Sequence, residues 1–291
     1  MVFLTSRPAD AELRIDGRPA GKATQRLRLT TRAHALEISK PGYSTRRVTV
    51  TPRAGVSQNV NVELKTPAAV RAAATPSTLK TRDGPVLKLV RPGSSFTMGA
   101  SRREAGRRAN ESVRQVQLTR PFYFGTREVT NAEFRRFRAS HSSGSAEGAA
   151  LDADAQPVAG VSWDDAARYC NWLSDREGLS GAYRENSGHM VAVSPMTTGY
   201  RLPTEAEWSY VARMLGRQNP SRYPWSGKYP PTSQAGNFAD AQIADTLAHV
   251  VPGYDDRYRG SAPVGSYAAY PAGFFDLGGN VAEWMHDYYA V

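Results

Sequence analysis

The chain has 291 residues, 40% of them hydrophobic, with a mean hydropathy of −0.51, which suffices for one large domain or a small one plus a medium one. No apolar run approaches the roughly 18–20 residues a bilayer-spanning helix needs, so no transmembrane segment is expected. A single cysteine, Cys170, excludes an internal disulfide or a site of several thiolates within these residues.

The net charge of +10 is uneven: residues 1–83 carry 15 Lys/Arg against 6 Asp/Glu, and the rest is nearly balanced. A basic front suits an acidic partner, but no aromatic residues interleave with the arginines as stacking platforms. The arginines read as the solvent faces of alternating strands, and no nucleic-acid partner is expected. The five histidines are scattered, with no helical pair to grip zinc.

In chain order, strand-like alternation begins at Val2, so the start does not read as a signal peptide. Ala11, Leu13 and Ile15 alternate up to the turn dipeptide Asp16-Gly17. Leu27 and Leu29, Leu36 and Ile38, Val48 and Val50, and Val60, Val62 and Leu64 repeat the pattern between Gly and Pro turns. Five or more short antiparallel strands with one buried face predict a small sandwich. Residues 66–83 are rich in Ala, Pro, Thr and Ser and read as a semi-extended linker.

From residue 84 the pattern turns to mixed α and β. Strands are expected over Val86 to Val90, Phe96 to Met98, Val113 to Leu118 and Phe122 to Phe124. Helices are expected after Thr130, Ser162 and Thr204, each with an acid three residues on, the capping-box spacing. The second buries Ala166, Tyr169, Cys170 and Leu173. Residues 186–198, 217–236 and 240–262 read as loop, and so much irregular chain calls for another stabiliser, such as a bound ion.

The strings AELRIDGRPAG (11–21) and HALEISKPGY (34–43) resemble a PEGA domain, which implies a small β module of bacterial surface or envelope proteins. FTMGAS (96–101), TREVTNAEF (126–134), PVAGVSWDDAARYCNWLS (157–174), YRLPTEAEW (200–208), YPWSG (223–227), GNF (236–238), APVGSY (262–267) and DLGGNVAEW (276–284) follow in order. Together they resemble the formylglycine-generating enzyme, or sulfatase-modifying factor, family, whose fold is related to C-type lectins. The expected architecture is therefore α+β: a PEGA-like sandwich over 1–65, a linker over 66–83, and a loop-rich C-type-lectin-like domain over 84–291, apparently truncated at its C-terminus. All five tryptophans fall within these motifs and are expected in the core.

The resemblance implies structural calcium at two sites. One would use the Asn237 side chain, the Phe238 carbonyl, the Asp256 carboxylate and the Tyr258 carbonyl. The other would use Asp276, the Gly279 and Val281 carbonyls and Glu283, with Asp276 standing where asparagine is expected. Carboxylates alternating with carbonyls supply the hard oxygens Ca²⁺ prefers.

The resemblance also implies, for catalytic members, a Cu(I)-binding cysteine pair beyond the GNVAEW-type motif, and soft thiolates are what Cu(I) requires. Copper enters only if a further C-terminal segment supplies cysteines; Cys170 reads as a small core residue. No residue is assigned a catalytic role. The expected function is a non-catalytic binding or scaffold protein of the cell envelope, periplasmic or cell-surface, with a protein or glycan ligand. The alternative is a truncated copper-dependent oxidase of sulfatase cysteines. A third reading, a partner domain for a histidine-ligated iron enzyme, needs a three-histidine module upstream, where a β domain with only His34 stands.

Overall fold

The computed structural model describes residues 1–288 except Ser94, Ala105, Ser226, Thr232 and Ser233. The chain divides into two compact units, Met1–Pro76 and Ser77–Val291. No helix among the described residues is long and apolar enough to cross a membrane.

The first unit has seven strands: β1 (Val2–Arg7), β2 (Glu12–Ile15), β3 (Arg18–Lys22), β4 (Gln25–Leu27), β5 (His34–Ser39), β6 (Arg46–Val50) and β7 (Gln58–Glu63). They form a three-stranded sheet, β4-β1-β7, and a four-stranded sheet, β3-β2-β5-β6. Val2, Leu4, Leu27 and Val62 from the first sheet share one core with Leu13, Leu36, Ile38 and Val50 from the second. The period-2 alternation did mark the buried faces. The all-antiparallel expectation needs correction, because β1 pairs with β7 in parallel, Val2 opposite Gln58 through Arg7 opposite Glu63. Such a pair needs a crossover connection, here the whole of β2 to β6.

Buried His34 ties the Asp16-Gly17 turn to β5. Its Nδ1 lies 2.7 Å from Asp16 Oδ2 and its Nε2 lies 2.8 Å from Thr30 Oγ1. Asp16 also accepts from the Ala35 amide at 2.9 Å. These bonds hold a non-glycine residue in the left-handed region, at φ 48°.

The segment expected to be an extended linker contains regular structure. Thr66 caps α1 (Pro67–Ala74), accepting from the Ala69 amide, and proline sits where the helix tolerates it. The helix buries none of its residues, which is why no apolar period marked it. Further on, β8 (Thr78–Lys80) pairs with β9 (Val86–Val90).

The second unit continues with β10 (Phe96–Met98), β11 (Arg114–Val116) and β12 (Phe122–Gly125), then α2 (Asn131–Phe137), β13 (Ser145–Ala146), β14 (Ala149–Ala150), α3 (Trp163–Arg176), β15 (Tyr183–Asn186), β16 (His189–Ala192) and α4 (Glu205–Arg213). One sheet is ordered β12-β9-β8, and three two-stranded ribbons join β10 to β11, β13 to β14 and β15 to β16. The β15–β16 hairpin falls at the start of the stretch expected to be loop; its turn is Ser187-Gly188, both at positive φ. Strand β11 is shorter than the expected 113–118. On α3 the buried face includes Ala167, Tyr169, Cys170 and Leu173, with Ala167 replacing Ala166.

The N-termini of α2, α3 and α4 carry the expected reciprocal capping boxes: Thr130 with Glu133, Ser162 with Asp165, and Thr204 with Glu207. Two of them share a longer device that the sequence reading missed. Arg127 grips Glu133 through both terminal guanidinium nitrogens, at 3.1 and 2.8 Å, and donates to the Glu128 carbonyl. Arg201 grips Glu207 in the same way, at 2.8 and 2.6 Å, and donates to the Leu202 carbonyl. The pattern Arg-x-x-Thr-x-x-Glu therefore starts both α2 and α4, each glutamate serving the cap and the guanidinium together.

Four tryptophans are partly buried, but Trp284 is 49% exposed and anchored through its Nε1 to the Val161 carbonyl at 3.0 Å. Core packing does not describe that one.

Candidate metal centre

Three of the sequence motifs converge around Asp276. The Phe275 amide donates to the Thr126 carbonyl at 2.9 Å, bringing the DLGGN turn beside the strand end that precedes α2. Asp276 and Asn280 both adopt left-handed backbone, at φ 53° and 63°, and Gly279 lies at φ 84°. Asn280 clamps the turn: its Oδ1 accepts from the Ala262 amide at 2.9 Å, and its Nδ2 donates to Glu128 Oε1 at 3.0 Å.

Asp276 is 3% exposed. Its Oδ2 accepts from the Gly265 amide, while its Oδ1 is buried without a hydrogen-bond partner. Glu128 Oε2 is likewise buried and unpartnered. Loss of water, then the charges of Asp276 and Glu283, push Glu128 up to about 9. Burial also raises Asp276, against the Gly265 amide bond. Glu283 is exposed as a residue, yet crowding of its carboxyl end by the protein raises it to about 7. Trp208 Nε1 lies near that carboxyl and opposes the rise, although it has no partner at ordinary hydrogen-bond geometry.

Of the second expected set, Gly279 and Val281 share the turn with Asp276, and the Glu283 carboxyl lies near enough for the Asp276 charge to act on it. Glu128 was missed. The available signal was the Arg-x-x-Thr-x-x-Glu repeat, in which Glu128 stands where its sibling motif has the apolar Leu202. Among the described residues no three His, Cys, Asp or Glu side chains close on one point. The remaining oxygens of a cation site here would have to be carbonyls and water, which suits calcium.

The first predicted set is also assembled, but differently. Asp256, 1% exposed, accepts from the Phe238 amide at 2.7 Å, the Tyr258 amide at 2.9 Å and Asn237 Nδ2 at 3.2 Å. Asn237 turns its other amide hydrogen to the Gly260 carbonyl at 2.9 Å. Asp240, fully buried and also missed, accepts from the Asp256 and Gln242 amides. Burial raises Asp256 despite these bonds, and the neighbouring Asp240 charge adds to the rise. Its carboxylate is nearly saturated by N–H donors, so it fits a loop cap as well as a cation ligand. The orphaned oxygens make the Asp276 turn the better match to calcium.

The two loops touch. The Asn280 amide donates to the Asn237 carbonyl at 2.9 Å, and a hollow of about 360 Å³ is lined by Asn237, Phe238, Gly279, Asn280, Val281 and Ala282 among others. Gly236 backs onto the Gly278 carbonyl, where a Cβ would come within 2.3 Å.

Cys170 lies on the buried face of α3 against Ala167, Ala182, Tyr183 and Met190. Burial pushes its thiol up to about 12, opposed by the Arg201 charge. A thiol so far from ionisation is a poor nucleophile and a poor copper ligand. The folded protein at pH 8 is therefore expected to resist iodoacetamide, with one alkylation appearing only in denaturant. Mass spectrometry reads this directly, and rapid labelling of the native chain would show an accessible thiolate.

Residues 72–291 match the sulfatase-modifying factor enzyme 1-like domain family, and residues 1–67 match the PEGA domain family. The chain is similar to chaperone protein LppX of Paenibacillus barcinonensis, 29% identical over 198 residues covering 63% of this chain and 68% of the relative. It is also similar to the formylglycine-generating enzyme of Bos taurus, 31% identical over 235 residues covering 72% of this chain. It spans 60% of that enzyme's length. The structure of PvdO from Pseudomonas aeruginosa overlays with a TM-score of 0.53 at 25% identity, covering 74% of this chain and 76% of PvdO. A loop-rich α+β unit carrying these motifs, preceded by a β-rich unit of matching extent, places this chain in the sulfatase-modifying factor family, with a PEGA domain in front.

Proposed function

We propose that this chain is a non-catalytic binding or scaffold protein of the bacterial cell envelope, periplasmic or cell-surface, whose sulfatase-modifying-factor domain presents a protein or glycan ligand surface. Structural calcium holds its loops, most securely at the Asp276 turn. The observation that carries the reading is Cys170: these residues hold one thiol, buried and far from ionisation, so they supply no thiolate pair for Cu(I). Similarity to a protein named as a chaperone fits a binding role; fold alone does not assign it.

Similarity to the bovine enzyme supports a second reading, in which these residues are part of a copper-dependent oxidase of sulfatase cysteines. The two readings separate when the chain is incubated with Cu(I), oxygen and a cysteine-containing sulfatase peptide. The binding role expects the peptide mass to stay unchanged. Conversion of the cysteine to formylglycine by this chain would reject it.

A further inference from the structure

We propose that Glu128 is a carboxylate ligand of the Asp276 cation site, so that two buried carboxylates, not one, face the calcium ion. This rests on the calcium reading above and adds to it a residue outside the expected ligand set.

Glu128 Oε2 and Asp276 Oδ1 are both buried without a hydrogen-bond partner, and the Asn280 bond to Glu128 and the Phe275 bond to Thr126 hold Glu128 against the Asp276 turn. Two such oxygens need a positive charge between them, either a proton or a cation, because an uncompensated pair of buried carboxylates is costly. The neighbouring Arg127 eases the Asp276 charge from a distance, but its guanidinium hydrogen bonds go to Glu133 and the Glu128 carbonyl, so it supplies neither orphaned oxygen with a donor.

Geometry then favours a metal ion over a proton alone. Glu128 is held by its other oxygen through Asn280, and Asp276 by its other oxygen through Gly265. Each carboxylate is thus oriented by one bond and leaves one oxygen free, as a ligand oriented from behind would be. The left-handed residues Asp276, Gly279 and Asn280 fold this stretch into a tight turn that includes Val281, and Glu283 adds a third negative charge close by. Ca²⁺ accepts such a mixture of carboxylates, carbonyls and water, and its affinity rises with the number of charged ligands. Aspartate in place of the expected asparagine makes the second carboxylate consequential: together with Glu128 it balances a divalent charge within the buried part of the site.

The test is calcium titration by calorimetry of the full chain and of Glu128→Gln, with thermal unfolding of both in chelator. Glutamine keeps the size and one oxygen, so the Asn280 bond can persist. The expected result is at least a tenfold loss of affinity for one calcium ion in Glu128→Gln. In chelator the variant should melt no lower than the parent, because one of two facing acids has gone. Equal calcium binding by parent and variant would overturn the Glu128 assignment while leaving the calcium reading intact. A parent that binds no calcium would remove both. A variant that melts lower than the parent in chelator would show that Glu128 serves the apo fold through a shared proton, and would also overturn the assignment.

Discussion

Arg201→Met is expected to lower the stability of the second unit by about 3–5 kcal/mol, the usual cost of breaking a buried, hydrogen-bonded ion pair by removing one partner. Arg201 and Glu207 are 16% and 10% exposed at their side chains, and the contact is bidentate. The loss extends beyond the pair. Glu207 also accepts from the Thr204 amide at 2.9 Å while Thr204 accepts from the Glu207 amide at 3.1 Å, so the α4 cap and the guanidinium share one carboxylate. Burial tends to raise the Glu207 carboxyl, but Arg201 and the Thr204 bonds hold it below its ordinary value. Without the guanidinium the desolvation remains and the compensation is gone. For a unit of this size the melting temperature should fall by roughly 10 °C, measurable by circular dichroism or calorimetry. Removing both partners, with Glu207→Gln added, should recover part of the loss, because no uncompensated charge is left. A change under about 1 kcal/mol in the single variant would mean the pair is solvated in the folded protein.

Gly279→Ala is expected to be comparably severe, for a different reason. Gly279 lies at φ 84°, and a Cβ there would sit 2.1 Å from the Asn237 carbonyl oxygen and 2.9 Å from the Phe238 ring. The strained backbone and the overlap together should cost roughly 2–5 kcal/mol. Gly17→Ala supplies the comparison: its φ is 80°, but nothing lies within 4 Å of the added carbon, so only the conformational cost of about 1 kcal/mol applies. Equal effects from the two substitutions would mean that the GNF and DLGGN loops do not approach one another as described.

Much of the fold was legible because its signals are local. The capping acids at Glu133, Asp165 and Glu207 fix three helix starts through bonds spanning three residues. Period-2 alternation identified the buried sides of β2, β5 and β7, since each strand turns alternate side chains to one core. What escaped was set by other forces. Helix α1 buries nothing, so it left no apolar period. The β15–β16 hairpin presents a mostly polar strand, Tyr183–Asn186, whose register is fixed by a Ser-Gly turn and not by a stripe. The parallel pairing of β1 with β7 joins segments that are distant in sequence.

At the candidate centre, the resemblance supplied Asp276, Gly279, Val281 and Glu283 but not Glu128, which lies 148 residues before Asp276. That acid reaches the turn only because the Phe275 amide docks on the Thr126 carbonyl and Asn280 bridges the gap. Asp240 was hidden in the same way: it accepts from the amide of Asp256, sixteen residues on. Non-local hydrogen bonding decides both, and no spacing in the chain announces it.

The most direct test of a cation-held platform is scanning calorimetry of the full chain in excess calcium and in chelator. Binding at one hundred times the dissociation constant contributes about 2.7 kcal/mol per site. The transition of the sulfatase-modifying-factor unit should therefore rise by roughly 5–10 °C with calcium, while that of the PEGA unit stays where it is. Superimposable scans in calcium and in chelator would contradict the account, leaving the orphaned oxygens of Asp276 and Glu128 to be satisfied by a proton.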